Sequence, residues 1–416
     1  MHFARSKHVT DSSGVRQQYN AQTAWIDGSH IYGVTDEQAT ELRELSGGKL
    51  KVKTVGGQEF LPEDTDANPD DCFLQEPGDY CFLAGDSRVM AYPGLSALNT
   101  VFLRYHNLLC GRLLALHPGW DDETLYQEAR RVVGAVLQKI SYDEYLPEVL
   151  GRENANNYAL TSTSNYNYDN NINPNLPNVF STAAFRFGHS MLSDSLTIGG
   201  TIVETGDLFN RPKFVLNSLK DLVEAILGEI SQRTDRWYTA GITDRMFEKP
   251  GQPRTGSDIA ARNIQRGREH ALPTYNAWRR HCGLPAITDF DQMGPDGRRF
   301  REVYSSVEDI DLYSAGISER PAPRVHVGPL YVCLLGRTFR ELKYGDRFWY
   351  QNIEDPVTSF TADQVAEINR MSLARVLCDT VTGMTEVQRN VFRLVSPRDP
   401  LVSCDVIDDM DVEGSW

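Results

Sequence analysis

The sequence predicts a mainly α-helical fold with few short strands. Three observations carry that prediction: apolar residues recur at three- and four-residue spacing over long stretches, helix start and stop signals bracket those stretches, and alternating strand patterns are scarce. From Ser96 to Leu116, the residues Leu98, Val101, Phe102, Tyr105, Leu108, Leu109, Leu113 and Leu116 line one helix face, and His117-Pro118-Gly119 ends it. Asp121, Asp122 and Glu123 then suit the positive end of a second helix, whose stripe runs through Leu125, Ala129, Val132, Val133, Val136, Leu137 and Ile140. Leu219 to Ile230 repeats the pattern. Thr361 with Gln364 three residues on predicts a capping box ahead of Val365, Ile368 and Met371. Lys49 to Val55 alternates like a strand and stops at Gly56-Gly57. Ten asparagines between Asn154 and Asn178, mixed with Tyr, Ser, Thr and Pro, predict a long surface loop at 154–178. No internal repeat interrupts the chain, and residues 1–416 read as one domain.

The balance of 42 basic against 57 acidic residues gives a net charge of −15, which argues against nucleic acid or an anionic membrane as the main partner. Small molecules fit better. No apolar run approaches the roughly 20 residues that span a bilayer, and Met1 to Asn20 is polar, without a signal-peptide core. Seven cysteines include no CxxC pair, so metal-thiolate spacing is absent. Scattered core thiols and three disulfides with one cysteine left over both remain open. No Asn-x-Ser/Thr acceptor occurs, which weighs mildly against secretion.

Four short constellations could carry chemistry. In NVFSTAAFRFGHSMLSDSL (178–196), Phe180, Ala184, Phe187 and Met191 form a helical stripe beside His189. A histidine among aromatics can bind haem iron, although a lone helical histidine is more often an ordinary hydrogen-bonded residue. As a ligand it needs an acceptor on its other ring nitrogen. In DIAARNIQRGREHALPTYNAW (258–278), Asn263 and Arg266 stand three apart on one helix face, suited to a buried polar site or to a solvated charged surface. In GDSRVMAYP (85–93), Arg88 follows a turn and either enters a cleft or pairs with Asp86. In TAWIDGS (23–29), Thr23, Asp27 and Ser29, with the Trp25 carbonyl, bunch hard oxygens that suit Ca²⁺, although an Asx turn into Gly28 explains the same residues.

Taken in order, these segments resemble the animal haem peroxidase family, of the myeloperoxidase, peroxidasin and peroxinectin type. The resemblance runs from about Asn20 to about Cys404 through NAQTAWIDGSHIYG, CFLAGDSR, LRYHN, LYQEARRVVGAVLQKISYDEYLPEVLG, NVFSTAAFRFGH, NIQRGREHALPTYNAWRRHCGLP, VGPLYVCLLGRTFRELKYGDRFWY and LARVLCD. It implies a helical fold around a buried haem, with His189 as the axial iron ligand and Asn263 as the acceptor orienting its ring. Arg88 becomes the distal arginine, while Arg266 and Arg186 contact the haem propionates. Thr23, Trp25, Asp27 and Ser29 become part of a Ca²⁺ shell. The family pattern pairs Cys72 with Cys81, Cys282 with Cys333 and Cys378 with Cys404, leaves Cys110 free, and implies a secreted parent.

Departures from the family qualify the expectation. No segment matches the family's distal glutamine, distal histidine and paired aspartates, and the opening Met1-His2-Phe3-Ala4-Arg5-Ser6 resembles the stretch that follows them. The expectation is an incomplete domain from a truncated or mispredicted gene product, without a signal peptide and with weak turnover unless His106 or another group substitutes. Ala91 and Tyr92 stand where relatives carry covalent haem links, which implies haem b that is not fully covalently attached. Tyr105 replaces the family's glutamate. The implied activity is reduction of hydrogen peroxide with oxidation of halide or phenolic donors, in a response to oxidative stress. The alternatives are an inactive relative with a binding or adhesion role, and a haem fatty-acid dioxygenase.

Overall fold

The structure is a computed structural model describing residues 3–355 and 357–416. Met1 and His2 of the opening string lie outside the described residues. The long helix Pro93–Leu116 runs through the centre, packed against Asp122–Ile140, which follows it, and against Leu373–Thr380 from late in the chain. It starts three residues before the apolar stripe, because Pro93 takes the first helical position, where a missing N–H costs nothing. Val101, Tyr105, Leu109, Cys110 and Leu113 are almost fully buried along it. Each such apolar side chain contributes about 1.5–3 kcal/mol relative to an exposed position. One core cluster runs from Ile31 to Val412.

Asp121 caps the second helix by accepting from the Thr124 N–H. Asp122 and Glu123 do more than suit the helix dipole: Arg43 bridges both, at 2.7 and 2.5 Å, tying an earlier turn to the helix start. After Ile140 the helix widens through a π turn at Ser141–Tyr145, where Glu144 is buried against Lys139 and accepts from the Leu373 N–H. Ser218 caps Leu219–Gly228, which stops two residues short of the stripe. The capping box forms as the sequence predicts, with Thr361 and Gln364 each bonding the other's backbone.

Strands are few. Lys53–Val55 pairs antiparallel with Gln58–Phe60 around Gly56 and Gly57, both at positive φ (58° and 78°), as a two-residue hairpin turn requires. The strand is shorter than the pattern suggests, since Leu50 instead bridges Arg43 and bonds the Asn107 side chain.

Two expectations change. The asparagine-rich stretch is not all surface loop: its start lies in the helix Arg152–Asn157, and the remainder is pinned down. Leu160 is fully buried, Tyr166 stacks on Tyr344 and bonds the Asp346 carbonyl, and the Lys343 ammonium donates to the Thr161 carbonyl. The 178–196 stretch is not one helix either. Asn178–Thr182 is α-helical, Ala183 breaks it at φ −134° and ψ −65°, and Ala184–Met191 continues as a 3₁₀ helix. No helix of the described residues is long and apolar enough to cross a membrane.

The three disulfides that the resemblance implies are present, Cys72–Cys81, Cys282–Cys333 and Cys378–Cys404, and Cys110 is free and buried. Their sequence separations are 9, 51 and 26 residues, and the entropy of the unfolded chain falls with the logarithm of loop length. Replacing both members of Cys282–Cys333 by alanine therefore costs about 1.5 kcal/mol more than doing so for Cys72–Cys81, by the chain-entropy relation. Urea unfolding of the two double variants measures the difference.

Candidate functional site

The change of helix type at Ala183 decides how His189 is presented. A 3₁₀ helix has three residues per turn, so residues three apart stack directly, and Arg186 and His189 fall on one edge. That edge meets the helix Ile259–Glu269, capped by the Asp258 side chain on the Ala261 N–H. Asn263, fully buried, sits between the two side chains. Its Nδ2 lies 2.8 Å from His189 Nδ1, and its Oδ1 accepts from Arg186 Nη1 at 2.9 Å. In this amide orientation Nδ1 accepts, so the ring proton rests on Nε2. Nε2 has no hydrogen-bond partner among the described residues, and part of the ring remains open to solvent.

Dense protein around the imidazole lowers its pKa to about 4, and the neighbouring Arg186 charge pushes the same way. The ring is neutral at ordinary pH, the form that binds a metal ion. Arg186 is itself lowered, first by burial, then by Arg266 and, more weakly, by Arg88. Of these cations only Arg186 acts on the imidazole itself, while Arg266 and Arg88 act on Arg186. Each has a protein partner: Arg186 also bonds the Ser181 carbonyl, Arg88 is exposed and paired with Asp86, and Arg266 pairs with Glu269. Arg266 also bonds the Ala4 carbonyl and Ser6 hydroxyl, and lies 4.4 Å over the Phe3 ring. The shared face expected of Asn263 and Arg266 is therefore divided, one residue facing inward and the other facing the amino-terminal segment.

His270 locks this assembly at its base. Its ring bonds the Asn178 and Thr182 side chains at 2.7 and 3.1 Å and the Ser6 hydroxyl at 2.6 Å, joining the end of one helix to the start of the other. Sequence spacing gave no signal for His270, nor for Tyr313, whose hydroxyl donates to the Arg186 carbonyl at 3.5 Å.

The Thr23–Ser29 loop closes on itself as an Asx turn and brings its oxygens together. Thr23 Oγ1 lies 3.4 Å from the Trp25 carbonyl, 3.1 Å from Asp27 Oδ1 and 3.0 Å from Ser29 Oγ, so the four oxygens converge. The Ser29 N–H donates to Asp27 Oδ1, closing an Asx turn, and Gly28 is left-handed at φ 74°. Among the described residues no cluster of three or more His, Cys, Asp or Glu suits a metal ion, so the loop offers a partial, mostly uncharged shell. Gly85 carries this loop to Arg88: a Cβ there would lie 2.3 Å from the Ser29 carbonyl oxygen and from the Gly33 nitrogen. Only glycine lets the GDSR turn seat so closely.

His106 is not available for proton transfer. It is fully buried, with Nδ1 2.9 Å from the Tyr32 hydroxyl and Nε2 2.9 Å from the Gly48 carbonyl, and burial lowers its pKa to about 4. The expectation that it could substitute for a distal base is corrected: both nitrogens serve the core. Tyr105 is likewise a core residue, its hydroxyl against the Met371 sulfur. Tyr92 packs on Phe209, with burial raising its pKa to about 12.

The candidate site is thus a neutral imidazole held through one nitrogen by an amide that also binds a guanidinium, set in a helical fold. The model of the animal haem peroxidase family matches residues 1–392, and the chain belongs to that family. It is 35% identical over 430 residues to myeloperoxidase of Mus musculus, covering 97% of this chain and 58% of the relative, and 33% identical to a peroxidase of Drosophila melanogaster, covering 99% and 62%. The chain therefore spans less than two thirds of the length of these relatives. Among solved structures, peroxidase A of Dictyostelium discoideum superposes with a TM-score of 0.79 at 30% identity, covering 92% of this chain and 74% of that one. A fatty acid alpha-dioxygenase of Oryza sativa, at 22% identity and a TM-score of 0.71, shares the fold.

A negative charge next to Nδ1 favours the imidazolium form, so Asn263→Asp raises the pKa of His189 from about 4 towards the ordinary imidazole range. NMR titration of the ring C–H signal measures the rise; an unmoved titration shows that Asn263 does not control this ring.

Proposed function

We propose that the chain forms the haem-binding core of a peroxidase that reduces hydrogen peroxide and oxidises halide or phenolic donors. The observation that carries this reading is the His189–Asn263 contact at 2.8 Å, with the opposite ring nitrogen unpartnered, in a member of the animal haem peroxidase family. The donor set fits haem b. His189 would supply a neutral nitrogen to iron and Arg186 a guanidinium fork to a propionate; Arg266 would serve the second propionate only by leaving Glu269, Ala4 and Ser6. Bound haem would provide the redox centre at which the peroxide O–O bond is cleaved.

The chain's own residues do the rest. Metal ligation through Nε2 requires the proton on Nδ1, so the Asn263 amide turns over and presents its oxygen to Nδ1–H. Arg186 then loses its acceptor and is freed for a propionate. Asn263 makes the imidazole more electron-rich, which strengthens its hold on the metal. Arg88, exposed and paired with Asp86, would stabilise negative charge on the departing peroxide oxygen. Burial of Asn263 keeps water from competing for either side chain bonded to it.

Thr23, the Trp25 carbonyl, Asp27 and Ser29 form one part of a Ca²⁺ site, and a cation there stiffens the backbone against which the Arg88 turn rests. Three disulfides accord with folding in an oxidising compartment and an extracellular location. A role in the response to oxidative stress follows from peroxide consumption.

Titration of the protein with haem b produces a Soret band shift that His189→Ala abolishes while far-ultraviolet circular dichroism is unchanged. Retention of the shift by the alanine variant sinks the reading. Arg88→Gln keeps haem uptake and lowers peroxide turnover on the order of 10²-fold, the scale of a lost charge-stabilising donor. Ca²⁺ raises the melting temperature of the wild type, and Asp27→Ala removes that rise, read by differential scanning fluorimetry.

A further inference from the structure

Arg186, which donates to Asn263 through its side chain, also has a partner on its backbone carbonyl. Tyr313 donates from its hydroxyl to the Arg186 carbonyl at 3.5 Å. Its hydroxyl oxygen lies 2.6 Å from that of Tyr238. A path therefore runs from the Arg186 carbonyl, three residues before His189 on the same 3₁₀ segment, through Tyr313 to Tyr238. It ends in the wall of a cleft of about 510 Å³, which both tyrosines line.

The cleft is apolar inside and charged at its edge. Trp237, Ile264, Phe300 and Ile317 give it aromatic and aliphatic walls, and Trp237 is 64% exposed. At the rim Arg236 bonds Asp296 at 2.6 Å, Arg299 lies 3.6 Å from the same carboxylate, and the Arg236 guanidinium sits 4.0 Å over the Trp237 ring. Two cations against one anion leave the rim positive. The volume suits a single-ring molecule, with flat faces for the indole and a carboxylate for the rim. Burial keeps both tyrosines protonated over the physiological range, with Tyr313 raised to about 12.

Building on the peroxidase reading, we propose that this cleft is a second donor site, taking a small anionic phenol whose electron travels through Tyr238 and Tyr313 to the Arg186 backbone and along the short 3₁₀ segment to His189. Each docked phenol gives up one electron along that path and releases its hydroxyl proton to water at the cleft mouth. One hydrogen peroxide takes up two electrons from two phenols together with two protons, leaving two phenoxyl radicals and two waters. The proton shared by the two tyrosine oxygens stays within their 2.6 Å contact.

The probe is 3-(4-hydroxyphenyl)propanoate. Titrated onto the cofactor-free protein it quenches tryptophan fluorescence, and Trp237→Phe removes the quench. Val303→Glu, at a cleft position that is 73% exposed, adds a like charge and weakens binding about ten-fold. In the haem-loaded protein Tyr238→Phe lowers the ratio of phenol to iodide oxidation about ten-fold, through kcat rather than KM for the phenol. Freeze-quenched samples lose a tyrosyl radical signal in the same variant. Absent quenching, or binding unaffected by Val303→Glu, overturns the ligand site; an unchanged phenol-to-iodide ratio overturns the electron route. If the protein takes up no haem yet the phenol still quenches Trp237, the peroxidase reading and the electron route fall together and the ligand site stands.

Discussion

The contact between the His189 imidazole and the Asn263 amide is the constraint around which the rest of the site is arranged. It joins two segments 74 residues apart, and it is the bond through which the backbone controls ring orientation and proton position. A fully buried primary amide must satisfy both of its ends, since leaving one unpaired costs about 1–3 kcal/mol. Here the nitrogen end meets an imidazole and the oxygen end a guanidinium. Moving any one of the three side chains exposes a partner's unmet polar group, so they hold each other in register.

That bond needs two backbones brought close without crowding. The 3₁₀ geometry of Ala184–Met191 supplies the narrow edge, and His270 clamps the segment's entry to the end of the opposing helix. Aromatic packing supports the outer side: Phe185 stacks on Phe180 at 4.7 Å, and both press against Phe339 of the helix Pro329–Tyr344. The Arg88 turn is placed independently, by the close approach of Gly85 to the Ser29–Tyr32 turn. Rigid placement of the imidazole and looser placement of an exposed arginine suit a site in which one group holds a cofactor and the other moves.

Much of this was legible in the sequence, for reasons that differ by residue. The helices Pro93–Leu116 and Asp122–Ile140 could be read because their stripes are long and local stop and cap signals agree with them. The capping box at Thr361 is a three-residue rule and needs no tertiary context. The switch at Ala183 was not legible: a 3.6-residue stripe and a 3₁₀ segment differ little over one or two turns, and packing against Ile259–Glu269 decides between them. The asparagine-rich stretch reads as surface by composition, yet the ends of Pro329–Tyr344 and the Asp346 turn supply its partners from far along the chain.

By itself, the sequence determined the helical class, the positions of the main helices, family membership through long ordered strings, and the chemical types available at 88, 189, 263 and the 23–29 loop. Those follow from local periodicity and residue chemistry, which do not depend on what lies across the fold. Only the tertiary structure decided that Asn263 faces His189 and Arg186 while Arg266 turns to the amino-terminal segment, that His106 belongs to the core, and that Tyr238 and Tyr313 reach the Arg186 carbonyl. Those contacts join residues separated by tens to hundreds of positions, and which of several polar groups meet in a dry interior is set by how whole helices pack.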